Sequence, residues 1–374
     1  MTSSRPPPEP PPEGGEKPPI LEIRDLYKYF PVRQSLGNIL RRRQPEYIKA
    51  VDGISFSLAR GEVLALVGES GCGKTTIAKT LIGLEEPTSG EILFNRQEVG
   101  SRERRHRVGL AMLESGNPST GSSPRIERTV FPQLNMKKLR QRAQMIFQDP
   151  YESLDPRATI FETVAEPLEV HGLATNREER VERVRRALDE AGLRPAEDYF
   201  LRYPHELSGG QRQRVVIAGA IVLEPELLLA DEPVSMLDVS IRAEILNLLN
   251  GLRKSRGISI LFITHDLGTV SSFADRLAVM YLGRIVEIGP TQEMLQNPQH
   301  PYTKALLSVV PVPNPRLRRE RVILQGETPN PIAVPTGCRF HPRCPAVSEC
   351  CSQVDPGLVP IVDGHEVACC LIKG

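Results

Sequence analysis

The stretch Gly68-Glu69-Ser70-Gly71-Cys72-Gly73-Lys74-Thr75 follows an apolar run, residues 63–67, and precedes the helix-forming residues 76–79. It satisfies the pattern G-x-x-x-x-G-K-[ST], in which glycines let backbone N–H groups converge on phosphate oxygens. Lys74 can reach the β- and γ-phosphates, and the Thr75 hydroxyl can ligate Mg²⁺. The order of strand, glycine loop and helix predicts an ATP site formed by this loop and by Thr76.

A second apolar run, residues 227–230, ends in two acids, Asp231 and Glu232. A carboxylate in this position can hold magnesium, directly or through water, and its neighbour can polarise the attacking water. Acids after a buried strand are also common helix caps, but the phosphate loop favours the catalytic interpretation. We predict that Asp231 is a magnesium ligand together with Thr75 and that Glu232 is the general base.

Composition and charge narrow the class of protein. The 374 residues are 40% hydrophobic and 25% charged, which allows one large domain with an appendage. The formal net charge of +1 argues against a general nucleic-acid binder, so we expect no nucleic-acid partner. The sequence contains neither an apolar run of membrane-spanning length nor a secretion signal, so a cytosolic location is expected.

Changes in amino-acid composition along the chain indicate its domain organisation. Residues 1–19 are rich in Pro, Glu and Gly and are predicted to be disordered, and the polar range 99–140 is predicted to be a surface insertion. Apolar runs predict an α/β core of buried strands interleaved with helices. The predicted strands lie within residues 54–58, 63–67, 227–230, 258–263, 277–280 and 284–287.

The pentapeptide Leu207-Ser208-Gly209-Gly210-Gln211 resembles the signature of the ABC ATPases. This resemblance implies a P-loop NTPase of ABC type over residues 20–305: a RecA-like core, an antiparallel β-subdomain and a helical subdomain at 149–206. It also implies that residues 208–211 contact the ATP bound by a partner subunit, where the new helix N-terminus would face the γ-phosphate.

Further elements of that family occur in the expected order. The resemblance implies that Gln148 links magnesium and water to the transmembrane contact and that His265 contacts the γ-phosphate, which makes both catalytic and ATP-binding. It implies that Asp238 communicates across the ATPase dimer. An aromatic residue before the phosphate loop stacks on adenine in the family; we assign Phe30, with Tyr29 as the alternative.

Three runs narrow the resemblance to the oligopeptide/dipeptide importer ATPases: residues 147–157, 300–306 and 343–345. In that branch two ATPase subunits drive two permeases at the cytoplasmic face of the membrane. As the second ATPase subunit we favour a paralogue of this chain over another copy of it. An extracytoplasmic binding protein delivers the peptide. The alternative is a soluble ABC ATPase that acts on nucleic acid or the ribosome, but the tandem domains or long coiled coil of that class are lacking.

Six of the seven cysteines crowd into the predicted C-terminal module, residues 306–374. The spacing of Cys338, Cys344, Cys351 and Cys369 resembles that of importer ATPases with a [4Fe-4S] cluster, which requires four thiolates. A closed four-cysteine zinc site is the alternative. Cys350 and Cys370 stand beside the chosen ligands and could replace them.

Overall fold

The computed structural model describes residues 19–32, 45–99, 133–174, 176–310 and 322–372. Most of the predicted disordered tail, residues 1–18, and most of the predicted insertion, residues 100–132, lie outside these ranges. Among the helices of the described ranges, none combines the length and the apolar content that crossing a bilayer requires.

An eight-stranded sheet forms the centre of the fold, and its parallel middle strands are apolar because both of their faces are covered. The phosphate loop follows the parallel strand β3 (Val63–Val67), whose neighbours are β9 (Ser259–Thr264) and β10 (Arg276–Tyr281). The order across the sheet is β12 (Val359–Val362), β13 (His365–Val367), β11 (Arg284–Pro290), β10 (Arg276–Tyr281), β3 (Val63–Val67), β9 (Ser259–Thr264), β8 (Leu227–Asp231) and β7 (Ala143–Ile146).

A second sheet of five strands packs beside the first and is antiparallel except for its last pair. Its two long strands are paired over almost their whole length. The order is β2 (Tyr47–Ala59), β1 (Pro19–Pro31), β4 (Ser89–Phe94), β5 (Gln97–Val99) and β6 (Gln133–Leu134). The two sheets confirm the predicted α/β core and its antiparallel β-subdomain.

Helices with defined caps connect the strands. Thr159 and Glu162 form a reciprocal capping box at one helix start, and the helix Arg177–Glu190 is followed by Gly192, which takes a left-handed φ of 81°. The helices are α1 (Lys74–Leu81), α2 (Met136–Arg142), α3 (Pro150–Ser153), α4 (Ile160–His171), α5 (Arg177–Glu190), α6 (Gly209–Ile221), α7 (Val239–Arg256), α8 (Leu267–Phe273), α9 (Thr291–Gln296), α10 (Pro301–Ser308) and α11 (Cys350–Gln353).

Two predicted boundaries differ from the structure. The predicted insertion, 99–140, is too long at both ends, because Val99 pairs with Leu134 and the side chains of both, like that of Leu139, are buried. Because these few apolar residues are surrounded by polar ones in the sequence, the composition of the segment does not reveal that they are buried. The C-terminal region is also less separate than its composition indicates, because β13 adds to β11 and so extends the central sheet.

Candidate active site

The phosphate loop is closely packed between neighbouring backbone segments. A Cβ atom on Gly68 would lie 2.2 Å from the carbonyl oxygen of Met280, and one on Gly73 would lie 2.0 Å from that of Ala50. Gly73 also has a φ of 108°, a region that side chains disfavour. Only glycine fits either position, so this loop holds a fixed cradle at the N-terminus of α1.

The ammonium group of Lys74 lies inside that cradle, and the residue is only 5% exposed. Its Nζ donates to the carbonyl oxygens of Gly68, at 2.7 Å, and Glu69, at 3.0 Å. Ser70 and Gly71 form the exposed outer edge of the loop, whereas Cys72 is buried beneath it. A buried cation in a glycine loop at a helix N-terminus suits an anionic ligand, so the residues fit ATP.

Thr75 and Asp231 meet at the carboxyl end of the central sheet. The Thr75 hydroxyl donates to Asp231 Oδ1 at 3.1 Å. Burial raises the pKa of Asp231, and the charge of Glu232 raises it further, against the lowering effect of the Thr75 hydrogen bond. A hydroxyl beside a buried acid is an oxygen donor set that fits Mg²⁺.

Glu232 lies between the other two predicted catalytic side chains. Gln148 Nε2 donates to its Oε2 at 3.2 Å, and His265 Nδ1 lies 3.1 Å from its Oε1. The backbone of Glu232 is left-handed, with a φ of 48°, and its N–H donates to the carbonyl oxygen of Ile263 at 2.8 Å. Such a conformation is unfavourable for a non-glycine residue, and here it turns the side chain away from the line of β8.

The signature residues lie on a different element. Ser208 caps α6: its hydroxyl accepts from the N–H of Gln211, and the Gln211 side chain accepts from the N–H of Ser208. Gly209 and Gly210 form the first turn of that helix, and Asp238 occupies the N-cap position of α7. Within the described ranges, no hydrogen bond joins these residues to the phosphate loop, so their predicted contact with a second subunit's ATP stays a prediction.

Phe30 lies near the end of the antiparallel hairpin, opposite Ile48. It is partly exposed, and the ammonium of Lys28 lies 4.5 Å from its ring centroid. Tyr29, the alternative, donates its hydroxyl hydrogen to Asp52. The hydroxyl of Tyr29 is therefore already engaged, and the adenine contact of Phe30 stays a prediction.

The cysteines of the C-terminal region gather in one neighbourhood. The sulfur atoms of Cys350, Cys351 and Cys370 all lie within 4.8 Å of one another, a grouping that shares only Cys351 with the predicted ligands. Burial, together with the charges of the three other predicted ligands, raises the pKa of Cys338 to about 11. The ligand set, Cys338, Cys344, Cys351 and Cys369, therefore stays a prediction.

Sequence reasoning missed the residues that surround Glu69 in the phosphate loop. Its carboxylate accepts from Arg343 and Thr328, and its N–H donates to the hydroxyl oxygen of Tyr302. Tyr302 and Arg343 belong to sequence runs that the importer resemblance singled out, and that was the only available signal. Nothing in the spacing of these residues indicates that they contact the loop.

Comparison with known proteins identifies the family. Residues 51–235 match the ABC transporter family, and residues 286–351 match the C-terminal region of oligopeptide/dipeptide transporters. The chain is 45% identical over 352 residues to the oligopeptide transport ATP-binding protein AppF of Bacillus subtilis, covering 94% of this chain and 96% of the relative. The chain belongs to the ABC transporter family.

Two further likenesses agree with this membership. The dipeptide transport ATP-binding protein DppF of Haemophilus influenzae is 44% identical over 95% of this chain and 97% of its own length. The solved structure of cbiO1 from Clostridium perfringens, part of the ABC transporter complex cbiONQ, is 29% identical with a TM-score of 0.55, covering 75% of this chain and 91% of cbiO1. As an ABC ATPase, the chain binds and hydrolyses ATP, which confirms the predicted activity.

Proposed function

We propose that this chain is the ATP-hydrolysing subunit of a peptide importer, peripheral to the cytoplasmic face of the membrane, where it drives two permease subunits. The support is the C-terminal match at residues 286–351 together with two relatives named for oligopeptide and dipeptide transport. The observation that carries the enzymatic part is the position of Glu232 between Gln148 and His265.

The chain's own residues account for each part of the reaction. Lys74, held by two loop carbonyls, is positioned to transfer its hydrogen bonds to the phosphates of ATP. Thr75 and Asp231, with Gln148, would hold Mg²⁺, which when bound neutralises phosphate charge. Glu232 then accepts the proton of the attacking water.

The second half of the site comes from a partner ATPase subunit, for which we favour a paralogue. Ser208 and the N-terminus of α6 face outward to meet the partner's ATP, and Asp238 begins the neighbouring helix. Because ATP contacts both subunits, its binding closes the dimer and its hydrolysis releases it. The exposed rings of Phe147 and Tyr151, next to Gln148, are suited to contact the permease.

For the cysteines we propose a [4Fe-4S] cluster on Cys338, Cys344, Cys351 and Cys369, with zinc as the alternative. The support is that the charges of Cys344, Cys351 and Cys369 all act on Cys338, so the four thiols share one neighbourhood. Iron and zinc analysis after anaerobic purification tests this. Cys344→Ser should lose iron while Cys370→Ser retains it; the opposite pattern assigns the site to the group around Cys350, and stoichiometric zinc without iron rejects the cluster.

Uptake by the complete complex tests the transport function. Membrane vesicles that contain this chain and its co-purifying subunits should accumulate labelled di- or oligopeptides. They should do so only when ATP is present on the side of the membrane that carries the ATPase subunits. Glu232→Gln should abolish that accumulation because it removes the base and leaves the subunits assembled. Co-purification with ribosomes or DNA, without permeases, would contradict the proposal and support the soluble alternative.

A further inference from the structure

An arginine from the cysteine-rich region contacts the phosphate loop directly. Arg343 Nη1 donates to both carboxylate oxygens of Glu69, at 2.9 and 3.2 Å, and Thr328 donates its hydroxyl to the same carboxylate at 2.6 Å. The side chain of Arg343 is 9% exposed and that of Glu69 is 27% exposed, so this ion pair is partly shielded from water. The second residue of the loop is thus fixed by a part of the chain some 270 positions away.

The backbone of Glu69 is fixed as well. Its N–H donates to the Tyr302 hydroxyl at 3.0 Å, and its carbonyl accepts from Lys74 at 3.0 Å. Phe340, three residues before Arg343, is buried against the rings of Tyr302 and Tyr281, with centroids 5.3 Å apart in each case. This aromatic contact leaves Arg343 little freedom to move away from the loop.

A second arginine of the same segment reaches the opposite end of the site. Arg339 is 7% exposed and donates to Asp52 and to the carbonyl oxygen of Leu282. The other carboxylate oxygen of Asp52 accepts from the hydroxyl of Tyr29, the neighbour of Phe30. The segment 339–343 therefore holds the phosphate loop and the strand that carries the predicted adenine contact at the same time.

We propose that Arg343, with Arg339 as a second anchor, is a positioning residue through which the cysteine-rich region orders the phosphate loop before ATP binds. Arg343 has no part in the chemical step. It fixes Glu69, and through that residue the carbonyl that holds Lys74, so that the loop's N–H groups are already aligned when the phosphates arrive. The proposal rests on the nucleotide site described above and holds whatever the cysteines bind.

Hydrogen exchange in the nucleotide-free full-length chain measures this ordering without any ligand. In Arg343→Gln, amides within residues 68–75 should exchange faster than in the wild type, and Arg343→Lys should restore part of the protection because it keeps a charge near Glu69. Asp355→Asn is the matched control. Asp355 lies in the same C-terminal region as Arg343, and its 2.9 Å ion pair with Arg284 does not involve the phosphate loop.

Nucleotide affinity and turnover give the second measurement. With a fluorescent ATP analogue, Arg343→Gln should bind about fivefold more weakly or worse, the low end of coupling between connected sites. The Michaelis constant should rise while the rate at saturating ATP stays near that of the wild type. A Glu69→Gln, Arg343→Gln double variant should bind ATP no more weakly than the weaker of the two single variants, because both changes remove the same ion pair.

The outcomes separate this proposal from its premise. Unchanged loop exchange and ATP affinity in Arg343→Gln, or equal changes in Asp355→Asn, would overturn the positioning role. If Arg343→Gln does not fold, loop exchange in Glu69→Gln decides, since removal of the same ion pair from the loop side should also raise it. Failure of the wild-type chain to bind ATP would instead contradict the nucleotide site itself, whatever the exchange result.

Discussion

Replacement of Glu232 by Gln isolates the proton-accepting role of this side chain. Glutamine has nearly the same shape, and its amide can keep a hydrogen bond to each of Gln148 and His265, which now lie 3.2 and 3.1 Å from the carboxylate oxygens. What is lost is the ability to take a proton from water. A positioned general base contributes about 10²- to 10⁴-fold, or roughly 3 to 5 kcal/mol of barrier.

The assay is phosphate release at saturating Mg²⁺ and ATP, together with equilibrium ATP binding. Glu232→Gln should hydrolyse ATP about 10²- to 10⁴-fold more slowly while binding it as the wild type does. Glu162→Gln is the matched control, because Glu162 is exposed and glutamine also suits its capping box with Thr159. Hydrolysis by Glu232→Gln within about tenfold of the wild type would refute the base assignment.

Two further predictions concern magnesium and acid stability. Thr75→Ala should lower Mg²⁺-dependent hydrolysis by about tenfold or more, since a hydrogen bond to a charged group is worth about 1.5 to 3 kcal/mol. In the same magnesium titration Thr75→Ser should retain activity, because it keeps the hydroxyl. Equal loss in both variants would contradict a role for the hydroxyl. Burial lowers the pKa of His300 to about 3, so the unfolded chain binds a proton that the folded chain does not, and stability should fall as the pH drops below about 6.5. By pH 5 that loss is about 2 kcal/mol, and urea unfolding of His300→Asn should show a correspondingly shallower pH dependence; identical dependence would contradict it.

Much of the fold was predictable because its signals are local. Residues 63–67 and 227–230 are continuous apolar runs, and residues 258–263 are apolar except for Ser259, as strands buried on both faces require; the glycine loop follows the first of them. The grouping of Glu232 with Gln148 and His265 was predictable only through the family resemblance, because their positions in sequence are far apart. Contact between them arises where neighbouring strands of the sheet end.

The rest depends on long-range packing that no local pattern encodes. Nothing near Arg343 in the sequence indicates that it pairs with Glu69. The strand β13 is too short for its sequence pattern to predict that it extends the central sheet. The left-handed backbone at Glu232 is equally hidden, because only the surrounding structure stabilises that conformation. Cys350 is adjacent to Cys351 in the sequence, whereas the proximity of Cys370 to both follows from the fold and not from spacing.

The central claim, an ATP site completed by a second subunit, is tested most directly by a photo-crosslinker near Asp238. Val239 is 81% exposed at the start of α7, so a benzophenone side chain there should not disturb the core. In the purified complex that carries Glu232→Gln, this probe should crosslink to the second ATPase subunit with Mg²⁺ and ATP and much less with ADP. Crosslinks that stay within the chain, or that are equal with both nucleotides, would contradict the composite site.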